Sequence, residues 1–85
     1  MLHIDPQKVI WKEIDGKVTV LLLESGSFFE LNKVGGTVWK LLAEGKTISA
    51  IIEHMAGTFA APSHQLTKDV NVFIEHTIKK GLLQP

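Results

Sequence analysis

The residues that could do chemistry are the histidines, the serines and one pair of adjacent glycines, and their spacing points away from catalysis. His3, His54, His64 and His76 contain no i,i+4 pair, the spacing by which one helix face offers two imidazoles to zinc. Cysteine is absent, so there is no thiolate site and no disulfide. Ser25, Ser27, Ser49 and Ser63 stand in turn or capping contexts, outside any nucleophile-elbow pattern. Gly35-Gly36 follows a strand pattern and opens a helical one, as a phosphate-binding turn does. Neither the GxGxxG nor the GxxxxGKS/T spacing is present, so close packing explains that pair better. The expectation is a chain that is not an enzyme and holds no cofactor and no metal.

Binding is the remaining class, and composition narrows the partner. The chain has 85 residues, enough for one small core, and is expected to be a single domain over 1–85. A hydrophobic fraction of 45% is ordinary for a folded chain. Nine basic and nine acidic residues cancel, and every basic residue is lysine. A neutral chain without arginine is poorly suited to gripping phosphate backbones, so no nucleic acid is expected. The apolar runs VTVLLL and AIIEHMAG are too short to span a bilayer, and MLHIDPQK lacks the layout of a signal peptide. No membrane partner is expected, and the location expected is cytoplasmic.

The elements that would position a binding site follow from periodicity. Val9–Ile14 alternates as a half-buried strand, and Asp15-Gly16 is a hairpin turn signal. Lys17–Leu23 is β-branched and aliphatic, a second strand. Glu24 to Ser27 reads as a turn, and Phe28–Leu31 as a short third strand. Phe29 and Leu31 share parity and are assigned inward, Phe28 and Glu30 outward.

Asn32 is a good N-cap for a helix carrying Val34, Val38, Trp39, Leu41 and Leu42 at helical spacing. Glycines in that helix cost roughly 1 kcal/mol each relative to alanine, so something is expected to pack closely on its first turn. Gly45 stops it. Thr47 caps a second helix with Ile48, Ile51, Ile52 and Met55 as its apolar face, ended by Gly57. A third helix runs from Pro62-Ser63 to about Lys80, with Gly81 as its stop. The fold class expected is α+β: a three-stranded antiparallel sheet followed by three helices, in the order of a winged helix-turn-helix bundle.

At 100° per residue the third helix divides into three strips. Leu66, Val70, Phe73, Ile74 and Thr77 form the core stripe, and Lys68, Asn71, Glu75 and Lys79 the solvated side. Between them lies a mixed flank of Asp69, Val72, His76 and Lys80. A boundary strip on any surface helix is mixed, and so is the lip of a binding groove. In a simple meander the third strand is an edge, whose unpaired N–H and C=O groups are a template for another strand. A peptide pairing there would gain register from its main chain and send alternate side chains toward the third helix. The alternative is that both phenylalanines are core and the edge is merely short.

The ordered set Phe29, Leu31-Asn32, Gly35, Trp39, Leu41-Leu42, then Gly45-Lys46-Thr47-Ile48, then Asp69-Val70, Phe73-Ile74 and Gly81-Leu82-Leu83 resembles the PqqD-like family. The likeness spans about Val9 to Leu83. It implies recognition elements for leader peptides of ribosomally made, post-translationally modified peptides. The leader would lie as a fourth strand beside the third and over the third helix. The implied partners are the precursor leader peptide and a separate enzyme: a leader peptidase and cyclase in lasso-peptide pathways, or a radical S-adenosylmethionine enzyme in pyrroloquinoline quinone synthesis. Quinone-pathway members tend to be arginine-rich, with an acidic–basic pair before the Leu-Asn. Phe28-Phe29-Glu30 stands there instead, closer to the free-standing lasso-peptide form. Peptide-binding residues expected are Ser27, Phe28, Phe29, Glu30 and Leu31 on the strand and Asp69, Val72, Phe73, His76 and Lys80 on the helix. The rival of another class is a winged-helix nucleic-acid binder, opposed by the charge balance of Lys68, Lys79 and Lys80 against Asp69 and Glu75.

Overall fold

A computed structural model describes residues 2–85. Strands β1 (Val9–Ile14), β2 (Lys17–Leu22) and β3 (Ser27–Leu31) precede helices α1 (Lys33–Ala43), α2 (Ile48–Thr58) and α3 (Ser63–Lys79). The strands form one antiparallel sheet in the order β1-β2-β3. Asp15 and Gly16 both have positive φ, 52° and 80°, the pairing that a tight two-residue hairpin with right-handed strand twist requires.

Alternation then sorts the side chains. Val9, Val18 and Val20 are buried under the helices, whereas Ile10, Leu21 and Phe28, aligned across the sheet, lie on its helix-free face. Phe29 and Leu31 are half-buried and pack inward, and Phe28 and Glu30 are exposed, as parity predicts.

Two apolar clusters hold the chain together. Val38, Leu41, Leu42, Ile51, Met55, Leu66, Val70, Ile74 and Leu83 join the three helices. Val9, Val18, Val20, Trp39 and Leu82 fix the sheet to α1. Phe73 packs against both, so α3 is tied to the sheet through one ring. Trp39 is fully buried and meets Trp11 edge to face, ring centroids 6.4 Å apart at 82°. Its indole Nε1 has no hydrogen-bond partner.

The ends of the helices are built as the sequence indicates. Asn32 Oδ1 accepts from Gly35 N at 2.7 Å, and Thr47 Oγ1 from Ala50 N at 3.1 Å. Gly45 and Gly81, with φ near 80°, each close a Schellman turn: Lys46 N donates to Leu41 O, and Leu82 N to Thr77 O. The second turn sends the next two residues into different clusters, Leu82 under the sheet and Leu83 among the helices.

Four details differ from the sequence reading. Ser27 is the first residue of β3, paired with Leu22, because the turn tightens around Gly26 at φ 72° and leaves Ser27 extended. β2 ends at Leu22, although Leu23 N still donates to Lys8 O. Gly57 lies inside α2 without a positive φ, and the helix ends at Phe59, whose N–H closes on Met55 O. Ile48, in the first turn of α2, is exposed rather than part of its buried face. One further contact had no signal in the sequence: His3 and Gln84 pair as a two-residue bridge, clasping the two ends of the described chain.

Candidate functional site

The exposed edge of the sheet and the mixed flank of α3 lie side by side. Among the described residues no strand pairs with the outer edge of β3, so alternate N–H and C=O groups of that strand point away from the sheet. α3 runs beside this edge in the opposite sense: Lys80, at its C-terminal end, sits against Phe29, and its middle turns reach Asn32 and Gly35.

Two hollows flank Phe73. The first, about 350 Å³, lies between β3 and the last turns of α3; Phe28, Phe29, Glu30, Leu31, Phe73, His76 and Lys80 border it, with Asn32, Thr77 and Leu82. The second, about 510 Å³, continues past the end of the strand, between the first turn of α1 and the middle of α3. Asp69, Val72 and Phe73 border it, with Asn32, Val34, Gly35, Gln65 and Lys68. Nine of the ten expected residues therefore border these two hollows, leaving Ser27 outside both. Phe28 and Glu30 do so from the strand's edge, with Phe28 also lining the helix-free face and Glu30 paired to Lys17. Ser27 N instead donates to Ser25 Oγ.

The groove was not fully legible. Asn32 was read only as a helix cap and Thr77 only as core, and Gln65 was not singled out. Gln65 Nε2 donates to Asp69 Oδ1 at 2.9 Å and orients that carboxylate. The glycine pair offered a usable signal. A Cβ built on Gly35 would lie 2.8 Å from Phe73 Cε1, and one on Gly36 would lie 3.3 Å from Val18 Cγ2. The close packing expected on this turn is thus the sheet and the floor of the groove, and only glycine lets α3 come so near.

The ionisable residues along the groove are Glu30, His76 and Lys80 at one end and Lys68 and Asp69 at the other. Lys80 Nζ stands 5.3 Å above the Phe29 ring, and Glu30 is turned outward to Lys17 at 3.3 Å. A broader hollow of about 710 Å³ lies round the corner beneath the Asp15-Gly16 turn, bordered by Lys17, Glu30 and Lys33. Asp15, Gly16, Leu31 and Asn32 complete its lining, and it shares Glu30, Leu31 and Asn32 with the first hollow. Among the described residues no group of three His, Asp or Glu side chains is placed to hold a metal, and no helix is long and apolar enough to cross a membrane.

Fold and groove together define a small α+β module of winged helix-turn-helix order with an open sheet edge along a helix-walled channel. The chain belongs to the PqqD family: the family profile described as "Coenzyme PQQ synthesis protein D (PqqD)" matches residues 19–83. Among solved structures it is similar to TbiB1 in complex with the TbiA(beta) leader peptide, at 29% identity over 96% of this chain and 94% of that one, with a TM-score of 0.91. It also shares its fold with lasso peptide synthetase B1 complexed with the leader peptide: 14% identity, 99% and 98% of the two chains, and a TM-score of 0.90. No curated protein matches it.

Proposed function

We propose that this chain binds the leader segment of a ribosomally synthesised precursor peptide and presents it to a separate leader peptidase or other modifying enzyme in lasso-peptide biosynthesis. The leader adds as a fourth strand beside β3, and its inward side chains enter the channel along α3. The chain itself does no catalysis and works in the cytoplasm. The observation that carries this reading is the unpaired edge of Ser27–Leu31 lying over a channel floored by Phe29 and Phe73. The likeness to TbiB1, a protein seen with a leader peptide, supports the same ligand class.

Main-chain pairing supplies affinity that depends little on sequence, and the channel adds selection through alternate side chains. A five-residue strand pairs only a short stretch. The second hollow, over Gly35, lengthens the contact beyond it.

Calorimetric titration with the leader of the precursor encoded beside this chain tests the proposal. Saturable one-to-one binding that little depends on salt is expected. Absence of leader binding, with salt-sensitive binding to duplex DNA, would favour the winged-helix alternative.

A further inference from the structure

The groove carries an electrostatic asymmetry that the fold alone does not require. At the Phe29 end the ionisable groups on α3 are His76 and Lys80, one helical turn apart and both exposed. Neither has a carboxylate partner: the ion pairs among the described residues are Lys17–Glu30 and Lys40–Glu13. Glu30 is the one acidic residue bordering this hollow, and its carboxylate is held on the far side of the strand by Lys17.

The remaining polar side chains there are already engaged. Thr77 Oγ1 bonds back to Phe73 O and Ile74 O, and Asn32 Oδ1 caps α1. Lys80 has the face of Phe29 beneath its ammonium, whose hydrogen-bond donors are unused. On its other side it borders a separate hollow with Lys8 and Glu24 without pairing with that carboxylate. At the other end the character changes. There one cation and one carboxylate offset each other: Lys68 is exposed, and Asp69 is half-buried under Gln65, beside Val72 and Phe73.

Register converts this asymmetry into a sequence preference. Residues directly opposite one another in an antiparallel pair share a face of the sheet. A ligand residue opposite Phe29 therefore points at Phe29 and Lys80, and one opposite Leu31 points at Phe73. Because β3 runs from Phe29 to Leu31, an antiparallel ligand meets Leu31 first and Phe29 two residues later.

We infer that the groove selects a peptide bearing an acidic side chain two residues after an apolar one, with the apolar residue against Phe73 and the carboxylate read by Lys80. The inference rests on strand addition at β3 and names the chemistry that addition prefers. Lys80 is the specificity-determining residue. The pair it forms is partly solvated, so it discriminates among peptides by about two- to fivefold rather than supplying most of the affinity.

A displayed library of short random peptides, selected separately on the wild-type chain and on Lys80→Glu, tests this. Wild type should enrich an apolar–x–Asp/Glu spacing, and Lys80→Glu should enrich Lys or Arg at the acidic position while keeping the apolar one. Lys80→Gln, which removes the charge without reversing it, should enrich neither. In a cycle with one selected peptide, exchanging its acid for lysine should weaken wild-type binding several-fold and restore binding to Lys80→Glu. Both effects should shrink in high salt. Binders that perturb the β3 amides yet show no acidic preference, or a preference unmoved at Lys80→Glu, would overturn the assignment while leaving strand addition standing. Selected binders that leave β3 untouched would overturn both.

Discussion

Gly35 and Phe73 approach so closely that a single added methyl at the first would lie 2.8 Å from Cε1 of the second. That contact joins the two halves of the groove: Gly35 belongs to the first turn of α1, Phe73 to the middle of α3, and both hollows meet at the ring. Phe73 is only half-buried, so its ring has somewhere to go. Gly35→Ala should displace it toward the channel. Stability should change by no more than about 1 kcal/mol, since alanine's helix propensity offsets part of the crowding. Leader affinity should fall by more than tenfold. Thermal melting and a binding titration on the same variant check the two halves of this statement.

Gly36→Ala makes the opposite case. Its new methyl would meet Val18, a β-branched residue buried in the centre of the sheet with no space to turn into. The expected loss is up to about 2 kcal/mol after allowing for the helix-propensity gain. Binding by the folded fraction should be preserved. A denaturant midpoint unchanged from wild type would contradict the packing described.

Val72→Arg should abolish leader binding with the melting temperature nearly unchanged. The side chain is 41% exposed at the lip of the second hollow and outside both apolar clusters. Wild-type affinity in this variant would remove Val72 from the groove.

Trp39→Ala should instead unfold the domain or leave it marginal, at a cost of about 3–5 kcal/mol for a large buried aromatic. Trp39 is the largest fully buried side chain, and it carries the edge-to-face contact to Trp11. Far-ultraviolet circular dichroism with a thermal or denaturant melt reads this directly. A folded variant that lost only binding would mean that Trp39 belongs to the site rather than the core.

Phe28 and Phe29 separate the two faces of the strand. Phe28 is 71% exposed with Ile10 and Leu21 on the helix-free face, whereas Phe29 packs inward beneath Lys80. Phe28→Thr should leave leader affinity within about twofold while keeping strand propensity, and Phe29→Thr should lose most of it. Equal losses from both would show that the ligand wraps over the edge instead of pairing with it.

What the sequence made legible were the features with local chemistry. Asn32 and Thr47 are caps because their side chains reach a nearby N–H, and Gly45 and Gly81 end helices because the chain turns left-handed there. Val18 and Val20 alternate inward beside Thr19. Gly57 misled because a glycine near a helix end looks like a stop whether or not its φ is positive. Ser27 misled because a small polar residue after Gly26 reads as turn. The cation over Phe29 spans about 50 residues of sequence, and the His3–Gln84 bridge spans almost the whole chain. No local period marks either of them. The groove was legible as an edge and a flank, and the glycine pair as a closely packed turn, but nothing local showed that Phe73 of α3 packs on Gly35 and Val18 of β2 on Gly36.

The central claim is that β3 accepts a fourth strand. Its most direct test is an amide-resolved NMR titration of the chain with the leader of the adjacently encoded precursor, with hydrogen exchange measured at saturation. Shifts concentrated in residues 27–31 and 69–80, with slowed exchange of the outward-pointing β3 amides, are the result expected. A saturable interaction that leaves residues 27–31 unshifted and their exchange unchanged would contradict it.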